Sequence, residues 1–186
     1  ASRAADAAAS ECFRTFNFQV VPTNNFVQTY PQGDVRRTLI DTLSSGEIVL
    51  GKYNQTLGSF ADRVPILRLA EMYFIRSEAR AEQNGVTSGA VNDLNEIRAN
   101  RGLDSLSTSD FSSTQALIDS ILVERRRELV YEGHRFFDLK RRTRAIPKPQ
   151  GNVPRNVLEY DNFRMLAPLP NSEVTSNPEL RQNPGY

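Results

Sequence analysis

One block of this chain concentrates ionisable and aromatic side chains as no other part does. Glu124-Arg-Arg-Arg-Glu-Leu-Val-Tyr-Glu-Gly-His-Arg-Phe-Phe-Asp-Leu-Lys-Arg-Arg-Thr-Arg144 holds eight Lys/Arg and four Asp/Glu. Two chemistries fit such a block. One is a basic nucleic-acid patch over residues 125–144 with Tyr131, Phe136 and Phe137 among its cations. The other is a set of ion pairs packed inside a helical stack. Helical spacing separates them. Arg125 falls in the middle of the apolar stripe formed by Leu117, Ile118, Ile121, Leu122 and Leu129, with Glu128 and Glu132 on or near that side and Glu124 at its edge. Phosphate contacts need arginines in solvent and carboxylates elsewhere. Cations aimed at a core beside carboxylates predict instead a partly buried network, which holds packing in register more than it adds net stability. Its predicted members are Arg125, Glu128, Glu132 and, across a helical hairpin, Glu78.

The remaining reactive residue types are sparse. His134 is the lone histidine and Cys12 the lone cysteine. An imidazole following Gly133 at a helix start, with no nucleophile nearby in sequence, reads as a structural residue rather than a general base. Asp104, Asp110 and Asp119 lack the alternating spacing of a calcium loop, so no metal site is predicted. The ten glycines form neither GxxxxGK[ST] nor GxGxxG, so no phosphate cradle and no cofactor are predicted. No pair of carboxylates in a cleft-like context suggests glycoside hydrolysis. The reading is non-catalytic. Aromatic residues in loop-like stretches (Tyr30, Tyr53, Phe60, Tyr160, Phe163) offer flat apolar faces with polar rims that suit sugar rings. Tyr53, Tyr160 and Phe163 are the candidate substrate-binding residues. The competing reading, which their loop positions favour, is that these rings anchor irregular chain to the core.

The elements that position these groups are mainly helical. Pro65 suits a first helical position and Gly85 a stop, bounding a helix whose Ile66, Ala70, Tyr73, Ser77 and Ala81 form one stripe, with Leu67 and Phe74 beside it. Met72, Ile75 and Ala79 form a second stripe on a different side. A helix apolar on two sides is expected between neighbours. A second helix runs from a Ser88 cap to Arg101, stopped by Gly102, with Ala90, Val91, Leu94 and Ile97 in line. The pair has the layout of a tetratricopeptide-like hairpin, or of an ordinary helical hairpin. A third helix is predicted over Gln115–Tyr131 and a shorter one over His134–Arg142. Residues 1–61 read as loop-rich, with weak strand signals at Phe13–Val21 and Ile48–Leu50. Residues 62–186 form the helical region, with Tyr160–Leu169 expected to be extended. The final stretch is dense in caps and stops: Asn171 or Ser172, Asn177-Pro178, and Pro184-Gly185 in the central positions of a type II turn. Such a tail is expected to be packed down, anchored by Tyr186.

Composition sets outer limits. The 186 residues suffice for one cored domain. The 23 Lys+Arg against 22 Asp+Glu give a formal net charge of +1, so no global field recruits nucleic acid or anionic membrane. No apolar run has the length of a spanning helix. One cysteine excludes an internal disulfide.

Four stretches, in order, resemble the SusD/RagB proteins, surface nutrient-binding lipoproteins of the Bacteroidota. Asp62-Arg-Val-Pro-Ile-Leu-Arg-Leu-Ala-Glu-Met-Tyr-Phe-Ile-Arg-Ser-Glu-Ala79 is similar to the family's signature helix, with Arg68, Leu69, Ala70, Glu71, Glu78 and Ala79 in motif positions. Leu94-Asn-Glu-Ile-Arg-Ala-Asn-Arg-Gly-Leu103 resembles the helix that follows. Glu124–Leu129 with Glu132-Gly-His-Arg-Phe-Phe-Asp-Leu-Lys140 resembles the third, Phe136 standing where the family commonly has tryptophan. The Asn-Pro-Gly-Tyr186 ending is the fourth, and Tyr30-Pro-Gln-Gly-Asp-Val-Arg36 is similar to a looser upstream motif. The resemblance covers about residues 62–186 and implies a mainly α, tetratricopeptide-like SusD-type fold, its C-terminal part, with irregular loops and little β.

The family is longer, opening with a lipoprotein signal, an anchoring cysteine and further helices. Cys12 follows no apolar h-region and is not expected to bear lipid. The resemblance further implies a non-catalytic protein on the outer face of the outer membrane, lipid-anchored through an N-terminal region. It would capture a glycan or related oligomer and deliver it to a SusC-type TonB-dependent transporter. Its rivals are a generic tetratricopeptide-like protein-interaction module and nucleic-acid binding through 125–144.

Overall fold

The computed structural model describes residues 22–42, 46, 48–52, 66–147 and 157–186. These fall into two compact units, one ending at Glu128 and the other beginning at Leu129. The strand expected over Phe13–Val21, Cys12 and the Pro65 helix start lie outside the described residues.

In the first unit a short helix α1 (Asn24–Val27) is followed by a 3-10 turn at Val35–Leu39 and a two-stranded antiparallel hairpin. The strands are β1 (Ile40–Thr42) and β2 (Ile48–Leu50), with Ile40 opposite Leu50. The strand expected at Ile48–Leu50 is therefore present. The core is built by three helices, α2 (Leu69–Asn84), α3 (Ser88–Ala99) and α4 (Thr114–Glu128). The sequence of α2 is rich in Ala, Glu, Arg and Met, all good helix formers. Its first turn carries Glu71, which complements the partial positive charge there. Helix α3 is capped by Thr87, not by Ser88 as expected: the Thr87 hydroxyl accepts from Ala90 N at 3.3 Å. Ser113 caps α4 in the same way through Ala116 N at 3.1 Å.

Phe74 and Ala81 of α2, Ala90, Val91, Leu94 and Ile97 of α3, and Leu117, Ile118, Ile121 and Leu122 of α4 form one buried cluster. Small side chains let α2 and α3 approach closely, so that buried Ser77 Oγ donates to Ala90 O at 2.7 Å. The expected α2–α3 hairpin is thus present. Its first apolar stripe is packed into the core from Ala70 to Ala81, whereas Ile66 and Leu67 precede the helix and are 88% and 79% exposed. The second stripe is not covered: Met72, Ile75 and Ala79 are exposed.

Two helix boundaries differ from expectation for local reasons. Helix α2 starts at Leu69, behind a bend at Ile66–Leu67, because Arg68 stays extended (φ −132°) while its guanidinium reaches Glu128. Helix α4 ends at Glu128 rather than Tyr131. Its last carbonyl accepts from Lys52 Nζ at 2.7 Å and Arg68 Nη1 at 3.1 Å, and Tyr131 adopts φ +65°. These cations also complement the negative end of the helix dipole. Gly102 ends the α3 connection at φ +71° with its Cα facing Gly33 O, where an added Cβ would lie 3.1 Å from that oxygen. Only glycine fits both demands without strain.

In the second unit, α5 (His134–Arg141) buries Asp138 and Leu139, and β3 (Ile146–Pro147) pairs antiparallel with β4 (Val157–Leu158). The extended run expected over Tyr160–Leu169 is interrupted. Asn162 Oδ1 accepts from Arg164 N at 3.1 Å and starts a 3-10 turn at Phe163–Met165, so the chain is extended only from Leu166. Helix α6 (Asn171–Ser176) follows Pro170.

The end of the chain is clasped to that extended run by side chains. The Gln182 carboxamide accepts from Leu169 N at 2.7 Å and donates to Leu169 O at 2.9 Å, and Asn183 Nδ2 donates to Ala167 O at 2.7 Å. Tyr186 Oη donates to Leu166 O at 2.8 Å, and its ring meets Phe163 edge-on at 5.1 Å. Pro184 and Gly185 occupy the centre of a turn closed by Tyr186 N on Asn183 O.

Candidate functional site

The densest polar constellation lies inside the first unit, at the C-terminal end of α4. Two glutamates one turn apart on α4, Glu124 and Glu128, are almost fully buried, and arginines from four other parts of the unit converge on them. Arg36, from the 3-10 turn, lies between the two. It donates from Nη2 to Glu124 Oε2 at 2.8 Å and from Nη1 to Glu128 Oε2 at 3.1 Å. Nε and Nη2 also fork onto buried Asp34, the Nη2 distance being 2.7 Å. Arg98 of α3 and Arg127 reach Glu124 Oε1. Arg101 is bidentate on Glu128, at 2.9 and 2.7 Å, and Arg68 donates to the same carboxylate.

The local sequence explains how Arg36 is presented. Asp34 Oδ1 accepts from Arg36 N at 2.9 Å, so the residue that caps the turn also grips its guanidinium. Tyr30, buried beneath, meets Phe26 edge-on and donates from Oη to Arg127 O at 3.0 Å. The Arg36 guanidinium lies 5.5 Å from the Tyr30 ring centre, and that of Arg126 lies 4.7 Å from Phe26. The aromatic pair is thus flanked by cations on both rings.

The charges tune one another. Burial pushes the Glu128 carboxyl up. The Arg101 hydrogen bonds and the charges of Arg101, Arg36 and Arg68 outweigh it, and the group is brought down to about 2. Asp34 follows the same balance: burial raises it, and hydrogen bonds from the Arg36 side chain and backbone hold it below the usual carboxylate range. Burial raises the Tyr30 phenol well above its ordinary value. The carboxylates at this centre whose ionisation is displaced are therefore held as anions, the state opposite to that of a general acid.

Arg125 is 7% exposed and donates from Nη2 to Glu71 Oε1 at 2.9 Å, across to α2. Glu78 is buried two turns further along α2, and Glu132 is half-buried in the turn after α4. Sequence reasoning placed Glu128 in a network, but it did not find Arg36, Asp34, Arg68, Arg98 or Arg101 as members. The one available signal was Tyr30-Pro-Gln-Gly-Asp-Val-Arg36, a short motif with an Asp two residues ahead of an Arg. A separate clamp joins α2 to α3. Asp93 accepts from Arg76 Nε and Nη2 at 2.9 and 2.7 Å and from Arg80 Nη1 at 2.7 Å.

Of the aromatic candidates, Tyr53 lies outside the described residues. Tyr160 is 51% exposed at the tip of a turn closed by Asn162 N on Glu159 O. Phe163 is half-buried and held by three contacts: Arg164 lies 4.9 Å over its ring, Tyr186 meets it edge-on and the Gly185 backbone packs against it.

The sequence profile of the SusD family matches residues 44–186. The chain belongs to the SusD family. Among curated relatives, it is 34% identical over 127 residues to SusD-like protein P38 of Formosa agariphila, covering 65% of this chain and 24% of that protein. It is 32% identical over 127 residues to the starch-binding protein SusD of Bacteroides thetaiotaomicron, covering 66% of this chain and 21% of SusD. The chain thus spans about a quarter of the length of these curated relatives. Solved structures agree in fold. A putative sugar binding protein from Bacteroides vulgatus superposes with a TM-score of 0.73 at 26% identity, over 88% of this chain and 39% of that one. A SusD superfamily protein from Bacteroides thetaiotaomicron does so with a TM-score of 0.68 at 28% identity, over 86% and 39%. The mainly helical SusD-type fold expected from the sequence is the fold observed.

Proposed function

We propose that this chain is the helical scaffold of a non-catalytic, cell-surface nutrient-binding protein. The complete protein captures a glycan or related oligomer and delivers it to a SusC-type TonB-dependent transporter in the outer membrane. The observation that carries this reading is the SusD-family match across residues 44–186, joined to relatives named for binding starch or sugar. The chemistry of the buried centre supports the non-catalytic part. Glycosidases need a carboxyl group kept protonated near neutral pH beside a second carboxylate, whereas Glu128 and Asp34 are both displaced toward the anion. Arg125 and Arg127 are directed at Glu71 and Glu124, which supports a structural rather than a phosphate-binding role for the arginine block. Lipid anchoring through an N-terminal region is part of the same reading; among the described residues no helix is long and apolar enough to cross a membrane.

Ligand contact by this chain is proposed to be minor, with Tyr160 the exposed candidate and Tyr53 a second. Phe163 serves the fold. Calorimetry of the 186-residue chain against a panel of starch and other plant or algal oligosaccharides tests the reading. Weak or no heat is expected, with saturable binding and no release of reducing ends by the complete protein. Tight binding by the 186-residue chain that Tyr160→Ala abolishes would place the ligand site here. Turnover lost on changing one Asp or Glu would overturn the non-catalytic assignment.

A further inference from the structure

The turn between α2 and α3 is fixed at each of its residues. Gly85 follows the last residue of α2 with φ +73° and ψ −151°, a conformation that is essentially glycine-only. Its N–H donates to Ala81 O at 2.9 Å and closes the helix. Val86 packs against the core cluster, and the Thr87 hydroxyl caps α3. The fold thus demands glycine at position 85, and the residue ahead of it is an exposed asparagine. Asn84-Gly85 is the one Asn-Gly pair in the chain. Asparagine is among the chemically labile residues. It is most labile before glycine, because no Cβ obstructs attack of the following amide nitrogen on its side chain.

We propose that Asn84-Gly85 is a self-modification site whose gate is the last turn of α2. In the reaction Gly85 N gives up its proton to solvent and attacks Asn84 Cγ. The new N–Cγ bond forms, the Cγ–Nδ2 bond breaks, and Nδ2 leaves as ammonia with a hydrogen taken from water. Water then opens the five-membered imide at one of its two carbonyls. The product is an aspartyl residue or, with the main chain rerouted through Cβ and Cγ, an isoaspartyl one. The sum is one water in and one ammonia out, with no oxidation or reduction. The folded helix opposes the first step twice. The Gly85 N–H is engaged on Ala81 O, and helical ψ, about −42° in a regular helix, holds that nitrogen off Cγ. Fraying of the last turn removes both restraints, and helix ends are where local opening costs least. The isoaspartyl product adds a methylene to a connection without slack, so Val86 must leave the core or Thr87 its cap. Its carboxylate also stands at the negative end of the α2 dipole. The modification therefore loosens the hairpin that builds the core, whatever the ligand or transporter.

The test incubates the 186-residue chain at mildly alkaline pH, folded and in denaturing urea, and follows the tryptic peptide of residues 81–98 by mass spectrometry. Labelling with an isoaspartyl methyltransferase identifies the product. A one-unit mass gain is expected at Asn84, with Asn92 and Asn95 of the same peptide unchanged. The folded chain should react at least about tenfold more slowly than the denatured one. Gln83→Gly weakens the exposed last turn by the glycine helix penalty, so it should raise the folded rate roughly fourfold and leave the denatured rate unchanged. Below the unfolding transition the folded rate should be nearly flat in urea, since fraying exposes little surface. The isoaspartyl fraction, isolated by ion exchange, should unfold at lower urea than Asn84→Asp, which adds the charge without the methylene. No reaction at Asn84 in either state overturns the site. Equal folded and denatured rates overturn the gate, as does a Gln83→Gly rate equal to wild type. A folded rate that climbs steeply with urea also overturns it, by passing control to global unfolding. An isoaspartyl fraction as stable as Asn84→Asp overturns the consequence for the hairpin.

Discussion

Replacing Arg36 by alanine is the sharpest probe of the buried centre. Arg36 bridges Asp34, Glu124 and Glu128, and all four side chains are at most 7% exposed. The three carboxylates fare differently when it goes. Glu124 keeps Arg98 and Arg127, and Glu128 keeps Arg68 and Arg101. Asp34 loses the guanidinium that forks onto it and remains buried. Removing one partner of a buried ion pair costs about 3–5 kcal/mol, against a total stability of about 5–15 kcal/mol for a domain. At about 2–4 °C per kcal/mol for a chain of this size, the melting temperature should fall by roughly 6–20 °C. Arg36→Lys, which keeps the charge and loses the fork, should fall in between.

The pH dependence supplies the sign. Glu128 and Asp34 have folded values below their unfolded ones, so their contribution is present above the unfolded value and lost as pH falls through the folded one. The penalty of Arg36→Ala should therefore be full at pH 7 and shrink between about pH 4.5 and 2, where wild type loses the same interactions. Urea unfolding at pH 7 and pH 3 measures both quantities. A loss under about 1 kcal/mol at pH 7 would refute the reasoning, because it would mean the centre reorganises at no cost. A penalty equal at both pH values would refute it equally, by showing that carboxylate ionisation is not what Arg36 supports.

Three further outcomes follow from single contacts. The wild-type chain should lose about 3 kcal/mol from Glu128 alone on acidification from pH 6 to pH 2, a shift of its carboxyl to about 2 being worth that much; an acid titration followed by circular dichroism reads it. Gly185→Ala places a Cβ 2.5 Å from Phe163 Cγ at a φ of +96°, so it should loosen the tail, seen as faster hydrogen exchange over residues 166–186; unchanged exchange there would contradict the clasp. Thr87→Ala removes the side-chain cap of α3 and should cost about 1 kcal/mol in urea unfolding, with Thr87→Ser near wild type.

What the sequence determined by itself was the main helices, the closing turn and the family. The short helix Asn24–Val27, the 3-10 turns and the strands Ile40–Thr42, Ile146–Pro147 and Val157–Leu158 were not legible in it. Periodic apolar residues at Ala90, Val91, Leu94 and Ile97 specify a helix face because 3.6-residue geometry leaves them one side to share. Asn183-Pro-Gly-Tyr186 specifies its turn because proline presets one φ and glycine permits the next. That an arginine block beside apolar residues would be drawn into ion pairs was also legible, from where Arg125 falls on the wheel.

Which carboxylate meets which guanidinium was decided only by tertiary structure. Arg36 reaches Glu124 and Glu128 across 88 and 92 residues, and Tyr30 reaches the Arg127 carbonyl across 97. Such pairs leave no periodic trace, since a guanidinium fork is chosen by position in space and not by spacing along the chain. Helix ends moved for the same reason: Arg68 stays extended, and α4 stops at Glu128, because distant side chains take up the backbone groups that a longer helix would have used.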